Sequence, residues 1–181
     1  MKLHVVTGPE GECYTFAGMP VLVRKGMKED MQAVHALICE LALYEKAPQE
    51  VTNTVEDMQR DGFGDQPVFR CLVAESEGVI VGMAIYFIKY STWKGKGVYL
   101  DDIVVTEPLR GKGIGSRLFD EVIRDSFSLG ANQMHWQVLD WNEPAIRFYR
   151  KYNASLDGEW INCKLDHDAL RALSSSGSSG M

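Results

Sequence analysis

A glycine-rich segment, Arg110 to Gly115, stands between a predicted β-strand and a predicted amphipathic helix. Gly111, Gly113 and Gly115 allow successive backbone N–H groups to turn toward one anion, and the helix start adds a partial positive charge. Arg110 and Lys112 add full positive charges. The spacing differs from the nucleotide P-loop, which needs Gly-Lys-Ser/Thr, and from the dinucleotide pattern GxGxxG. We predict a pyrophosphate-binding loop, although the glycines alone are equally consistent with a turn that binds nothing.

Four further side chains have the chemistry of proton transfer. Asp101 and Asp102 follow one another near the end of a predicted strand. Tyr149 lies on a predicted helix and His135 in another predicted strand. Because side chains alternate along a strand, we expect Asp102 to point to the opposite face from Asp101, so that the two cannot serve one pocket equally. Taken singly, these residues have structural explanations: a strand-end charge pair, a half-buried core tyrosine and a hydrogen-bonded histidine.

Hydrophobic periodicity predicts the elements that position these residues. Helices are predicted over residues 31–41, from Thr54 to Asp61-Gly62, over residues 114–127 and after Asn142-Glu143-Pro144. Strands are predicted at residues 21–23, 69–75, 79–90, 98–105, 133–139 and 160–165, with a tight hairpin at Glu77-Gly78. This interleaving predicts a mixed α/β (α+β) fold with a mostly antiparallel central sheet flanked by helices.

Composition and charge limit the classes of protein to which this chain can belong. The chain has 181 residues, 45% of them hydrophobic, and a formal net charge of −6. A nucleic-acid-binding protein normally shows a basic excess, and a membrane span needs about 18 consecutive apolar residues, so we expect neither partner. Four scattered cysteines favour thiols in a reducing compartment over disulfides or a zinc site. We expect a cytoplasmic protein whose acidic surface suits a small cationic partner.

The chain is predicted to contain one main domain. Residues 1–18 are rich in turn formers and show no sustained periodicity, so we interpret them as an extension. The domain then spans residues 19–173. Residues 174–181, almost entirely Ser and Gly, are predicted to form a flexible tail.

Four segments resemble motifs of one enzyme superfamily and occur along the chain in the same order as in that superfamily. They are Arg110–Gly115, Asp61–Glu75, Tyr90–Val105 and Val138–Tyr149. The first resembles the acyl-CoA-binding motif of the Gcn5-related N-acetyltransferases. The others narrow the resemblance to the diamine acetyltransferases, which include the spermidine/spermine N1- and thialysine Nε-acetyltransferases. The resemblance extends from Met19 to about Leu165.

The resemblance implies the acyl-CoA N-acyltransferase (GNAT) fold, whose sheet has a β-bulge and a splay between two central strands where the cofactor enters. It implies direct acetyl transfer from acetyl-CoA to a primary amine of a small diamine, polyamine or thialysine-like substrate. It also implies a homodimer and no requirement for a metal.

The resemblance also assigns roles to residues. Tyr149 corresponds to the proton donor to the CoA sulfur. Asp101 stands where the polyamine enzymes carry a glutamate that contacts substrate and relays its proton; its shorter side chain makes a bridging water more suitable. The implied cofactor-binding residues are Ile103, Val104, Val105, Arg110, Gly111, Lys112, Gly113, Ile114, Gly115, Ser116, Asn142, Glu143, Pro144 and Ala145. The implied substrate-binding residues are Tyr44, Glu45, Trp93, Asp101, His135, Trp136, Gln137 and Glu159.

Two other functions stay open. One is acetylation of protein lysines or N-termini, which needs an open groove, whereas Trp93 and Trp160 suit closure over a small molecule. The other is an inactive CoA-binding regulatory module, which only the aspartate at position 101 favours. Ser91, where the polyamine enzyme carries an acidic residue, favours a shorter amine over a long polycation.

Overall fold

One sheet organises the first part of the chain. The computed structural model describes residues 5–8, 11–16 and 19–176, which divide between two compact units, one ending at Gln137 and the other beginning at Val138. In the described part of the first unit, seven strands lie side by side in chain order: β1 Val5–Gly8, β2 Gly11–Phe16, β3 Met19–Lys25, β4 Arg70–Ser76, β5 Val79–Ser91, β6 Gly95–Val105 and β7 Met134–His135. Neighbours pair antiparallel except β6 and β7, which confirms the predicted mixed, mostly antiparallel sheet.

Five α-helices accompany these strands in the described residues. The first unit contains α1 Met31–Tyr44, α2 Val55–Phe63 and α3 Ile114–Ser128, and the second contains α4 Glu143–Arg150 and α5 His167–Ser176. The N-cap of α2 is Thr54, whose hydroxyl accepts a hydrogen bond from the Asp57 backbone N–H at 3.1 Å, as its position in the sequence predicts. Within the described ranges, no helix has the length and apolar character needed to cross a membrane.

The sheet carries helices on both faces. On the first, called the α1 face, α1 and α2 bury apolar side chains against the strands: Met31, Val34, Leu37 and Met58 against Val73, Met83, Ile85 and Val104. On the second, called the α3 face, Leu118 and Phe119 of α3 are fully buried. There the Tyr86 hydroxyl also donates a hydrogen bond to the Asp125 carboxylate at 2.9 Å. Burial on both faces holds β5 and β6 rigidly between the helices.

The two longest strands, β5 and β6, pair with an irregularity. Ile85 pairs with Asp102, but Tyr86 pairs with Leu100, so Asp101 is an extra residue of β6 and forms a β-bulge. On the other side of β6, β7 pairs only with Val98 and Tyr99, and no strand of the described residues pairs with that edge farther along. The bulge agrees with what the resemblance implies. The ladder of β6 ends beside β7, which is an outermost strand of the described sheet and not a central one.

The N-terminal segment contains strands that the sequence did not predict. β1 and β2 form an antiparallel hairpin, and β2 pairs with β3 over Glu12–Phe16 and Met19–Val23. Residues 5–8 and 11–16 of the predicted extension therefore extend the sheet. The remaining residues of that extension lie outside the described ranges, and the domain boundary at Met19 stays a prediction.

The C-terminal part differs most from the sequence prediction. The strand predicted over residues 133–139 is reduced to Met134–His135, and the strand predicted over 160–165 is absent. Trp160 and Ile161 are instead highly exposed, and no strand in the described chain pairs with their backbone. Helix α5 was not predicted and includes Ser174–Ser176, the start of the predicted tail; residues 177–181 are not described.

Truncating Leu118 tests the packing of α3. We expect Leu118→Ala to lower the free energy of unfolding by about 2–5 kcal/mol, because the fully buried side chain leaves a cavity between α3 and the sheet. Urea unfolding measures the loss. Phe127→Ala, at an 84% exposed position of the same helix, is the control and should change stability little. Equal effects of the two substitutions would contradict this packing.

Candidate functional site

The loop between β6 and α3 has the backbone geometry of an anion-binding turn. Gly111 has φ 75° and Gly113, the N-cap of α3, has φ 87°, conformations that favour glycine over residues with a side chain. The first N–H groups of a helix have no acceptor within it, so Ile114 to Ser116 present donors at the positive end of the α3 dipole. Lys112 is exposed beside them. These features suit the binding of an anion, and the pyrophosphate loop stays a prediction.

The Arg110 side chain is engaged with its own protein. Its Nε donates to the Val105 carbonyl at 2.8 Å, and its Nη2 lies 3.0 Å from a carboxylate oxygen of Glu40. Its guanidinium also lies 5.2 Å from the centre of the Tyr44 ring, a cation–π distance. The sequence analysis assigned this charge to the ligand, whereas the structure uses it to join α1 to the loop.

Glu40 on α1 is a residue that the sequence analysis missed. Its carboxylate accepts hydrogen bonds from the Thr106 hydroxyl at 2.9 Å and the Glu107 backbone N–H at 2.8 Å, besides the Arg110 contact. Three charge-assisted contacts to one carboxylate fix the start of the glycine loop against α1. A glutamate among apolar helix residues gave no sequence signal, since its partners lie more than 60 residues away.

Backbone groups of Ile103, Val104 and Val105 line the open edge of β6. On one side they pair with β5, and on the other side the β6–β7 ladder has already ended at Tyr99. An unpaired strand edge offers N–H and C=O groups to an extended ligand that carries amides. Since these residues lead directly into the glycine loop, the two features form one continuous surface.

The bulge places both aspartates on the α1 face. Asp102 pairs with Ile85, which belongs to the α1-face core. Tyr99 pairs with Phe87, two residues beyond Ile85, and therefore also faces α1. Asp101 is two residues after Tyr99 and therefore lies on the same face. Asp101 is also the extra residue of the bulge, which breaks the alternation, so Asp102 lies on this face as well. The expectation that Asp102 points to the opposite face is therefore wrong, because it assumed a regular strand.

Glu45 at the end of α1 joins these carboxylates electrostatically. Burial, followed by the negative charges of Asp101 and Glu45, raises the pKa of Asp102 to about 6. Burial also raises the pKa of Asp101 and of Glu45. Among the described residues, no basic side chain forms an ion pair with any of the three. Carboxylates that are partly desolvated and lack a cation favour the binding of one.

The predicted segment His135 to Gln137 divides between two faces. His135 Nδ1 accepts a hydrogen bond from Lys89 Nζ at 3.2 Å, and burial, with the nearby Lys89 charge, lowers the pKa of His135. The Tyr99 hydroxyl donates to the Gln137 side-chain oxygen at 2.8 Å. Trp136 instead packs edge-to-face on Phe119 of α3, with ring centres 5.3 Å apart. His135 and Gln137 therefore contact residues of the α1 face, which also carries the carboxylates. Trp136 is a core residue of the α3 face.

Other predicted substrate residues are more peripheral in the first unit. Trp93 lies in the turn between β5 and β6 and is 84% exposed. The hydroxyl of Ser91 accepts the backbone N–H groups of Trp93 and Lys94, which shapes that turn. Tyr44 covers the Arg110 guanidinium from the end of α1. The structure thus brings Tyr44 to the glycine loop and leaves Trp93 at a hairpin tip.

The second unit contains the remaining predicted residues. Asn142 caps α4 through its side-chain oxygen, which accepts from the Ala145 N–H at 3.3 Å, and Pro144 lies in the first turn beside Glu143, as predicted. Tyr149 is buried on α4, with its ring centre 5.2 Å from that of Phe148. Glu159 is exposed in a segment without regular secondary structure.

Comparisons with known proteins identify the family. Residues 32–154 match the acetyltransferase (GNAT) family. The thialysine N-epsilon-acetyltransferase of Mus musculus is 36% identical over 162 residues, covering 83% of this chain and 95% of that protein. The chain belongs to the acetyltransferase (GNAT) family.

A further relative and a solved structure also resemble this chain. A human spermidine/spermine N(1)-acetyltransferase-like protein 1 is 35% identical over 139 residues, which cover 73% of this chain and 20% of that longer protein. The structure of the aminoglycoside N-acetyltransferase AAC(6')-Iy in complex with CoA superposes with a TM-score of 0.66 at 17% identity, covering 88% of this chain and 99% of that one. Its similarity shows the shared fold.

As a GNAT enzyme, the protein is an acetyl-CoA-dependent N-acetyltransferase that acts on amines. The residues present fit the coenzyme: the left-handed Gly111 and Gly113 and the start of α3 suit the pyrophosphate, and the open β6 edge suits the amides of the pantetheine arm. Within the described residues, no three His, Cys, Asp or Glu side chains are grouped to hold a metal ion.

Replacing Asp102 should stabilise the free enzyme. Its pKa is higher in the folded protein than in the unfolded chain, so ionisation of Asp102 opposes folding. We expect Asp102→Asn to raise the free energy of unfolding at pH 7.5 by on the order of 1–3 kcal/mol. The gain should shrink as the pH falls from about 6 to about 4, where the wild-type carboxyl takes up its proton.

Urea denaturation across this pH range measures the effect. Asp65→Asn, at an exposed position, is the control and should change stability by less than about 0.5 kcal/mol at every pH. A variant that is less stable than the wild type at pH 7.5 would show that Asp102 has a stabilising partner in the free protein.

Proposed function

We propose that this enzyme transfers the acetyl group of acetyl-CoA to a primary amine of a small diamine, polyamine or lysine-like substrate. The observation that carries the proposal is the group of three carboxylates with raised pKa values, Glu45, Asp101 and Asp102, which have no cationic partner among the described residues. An ammonium group supplies the missing charge. The names of the relatives, which refer to thialysine and to spermidine and spermine, agree with such a substrate.

Deprotonation of the amine is the first requirement. An alkyl ammonium with a lysine-like pKa of about 10.4 is protonated at pH 7, and releasing its proton costs about 4.6 kcal/mol. Asp101 and Asp102 attract the cation and accept the proton, directly or through a water molecule. The raised pKa of Asp102 makes it a better acceptor than an exposed aspartate while leaving it ionised at neutral pH.

Acetyl transfer then requires a positioned thioester and an acid. The residues proposed to hold acetyl-CoA are Ile103 to Val105 for the acetyl-pantetheine arm, Arg110 to Ser116 for the pyrophosphate and Asn142 to Ala145 for the lower pantetheine. Because Glu40 engages the Arg110 guanidinium, the pyrophosphate is held by the backbone N–H groups of this loop and by Lys112. The neutral nitrogen attacks the thioester carbon, a C–N bond forms and the C–S bond breaks. Backbone N–H groups stabilise the intermediate oxyanion, and the Tyr149 hydroxyl gives a proton to the departing thiolate. We further propose that the protein acts as a cytoplasmic homodimer, as the resemblance implies.

Coenzyme binding is tested by calorimetry with CoA. We expect the wild type to bind and Gly113→Ala to bind at least about tenfold more weakly, because alanine strains the φ of 87° at the start of α3. Gly78→Ala, in the hairpin between β4 and β5 at φ 78°, suffers the same kind of strain away from the loop and is the matched control. Folded wild-type protein that releases no heat with CoA would refute the proposal.

The acceptor is tested with spermidine, putrescine, thialysine, lysine and a histone-like peptide. We expect higher kcat/KM values for the small amines than for the peptide. A preference for the peptide would make the enzyme a protein acetyltransferase, and CoA binding without any turnover would make it a binding module.

Tyr149→Phe tests the acid. We expect kcat to fall by about 100-fold or more with little change in the KM of either substrate, since only a proton donor is lost. Tyr152→Phe, in the turn that follows α4, also removes a hydroxyl from the ring cluster around Phe148 and is the control. Full activity of Tyr149→Phe would exclude the assignment.

A further inference from the structure

A lysine lies on the same sheet face as the three carboxylates. Ile85, Phe87 and Lys89 alternate along β5 and share the α1 face, to which Ile85 contributes a core side chain. The Phe87 and Tyr99 rings are in contact with centres 5.3 Å apart, and Lys89 Nζ lies 5.3 Å from the centre of the Tyr99 ring. Lys89 therefore reaches along the face toward Asp101.

Lys89 is held without being neutralised. Its Nζ donates one hydrogen bond to His135 Nδ1, and the lowered pKa of His135 favours the neutral imidazole that can accept it. No carboxylate of the described residues forms an ion pair with Lys89. The remaining ammonium protons are thus available to an anionic group, and the Tyr99 ring orients the side chain.

The face therefore has a positive pole and a negative pole, with Tyr99 between them. Tyr99 and Asp101 are two residues apart on β6, which corresponds to about 7 Å along a strand. Burial, together with the charges of Asp101 and Asp102, raises the pKa of Tyr99, so the phenol between the poles stays neutral. An extended basic amino acid carries complementary charges at its two ends, a carboxylate at one end and a side-chain ammonium group at the other.

We propose that Lys89 determines acceptor specificity by binding the α-carboxylate of a basic amino acid whose side-chain amine lies at Glu45, Asp101 and Asp102. This inference rests on the proposed function and narrows its substrate class. A diamine of the same length places a second ammonium group near Lys89, where like charges repel. Lys89 thus selects for the carboxylate and against the diamine.

The wild-type enzyme gives the first test. Lysine and cadaverine, like ornithine and putrescine, differ only in the carboxylate, so their kcat/KM ratios report its recognition. We expect each amino acid to exceed its diamine by about tenfold or more, the usual effect of a charge-assisted hydrogen bond. Equal values, or a preference for the diamines, would overturn the proposal whatever the variants do. Absence of acetylation with every amine would refute the proposed function instead.

Lys89→Met gives the second test. We expect its kcat/KM for lysine and ornithine to fall by about 10–100-fold, mainly through KM, and its kcat/KM for the diamines to rise as the repulsion disappears. Lys89→Arg should restore part of the amino-acid activity, because it keeps the charge. Lys96→Met is the control. Gly97 pairs with Lys89, so the preceding residue, the exposed Lys96, lies on the opposite face of the sheet. A parallel loss for amino acids and diamines would show that Lys89 acts only on the structure of the face.

Discussion

One extra residue in β6 determines the electrostatics of the proposed acceptor surface. Opposite Ile85 and Tyr86 the strand contains three residues, Leu100 to Asp102, where a regular ladder has two. Leu100 stays in the α3-face core, and both aspartates therefore fall on the α1 face. Two adjacent carboxylates repel each other and are partly desolvated there, which makes the free enzyme less stable than it could be. In the proposed function, the binding of an ammonium group relieves that repulsion.

Helix α1 connects the two halves of the proposed reaction site. Glu40 fixes Thr106, Glu107 and Arg110 at the start of the glycine loop, and Glu45 follows little more than one helical turn later beside the aspartates. Because a packed helix moves as a rigid element, the distance between the glycine loop and the three carboxylates is set by α1 rather than by flexible segments. The Tyr44 ring, at the end of α1, adds a cation–π contact with Arg110 between this helix and the glycine loop.

Much of the fold could be predicted from local patterns, and the failures have a common cause. The Glu77–Gly78 hairpin, the Thr54 cap and the Asn142 cap were correct because each depends on residues adjacent in the chain. The strand expected over residues 160–165 was wrong although its residues favour a strand, since a strand also needs a partner with free backbone groups. The hairpin of β1 and β2 was missed for the converse reason: its short, glycine-containing strands are defined by pairing with β3.

The sequence by itself determined the glycine loop, the capped helices and the identity of the chemical groups, because these depend on covalent geometry and on neighbours within about four residues. Tertiary structure alone decided which groups meet. The bulge reversed the orientation of Asp102, Glu40 took the Arg110 charge away from the predicted ligand, and pairing of β5 with β6 brought Lys89 over Tyr99. These outcomes depend on register and on contacts between residues far apart in the chain, and the local pattern of apolar and polar residues does not encode either.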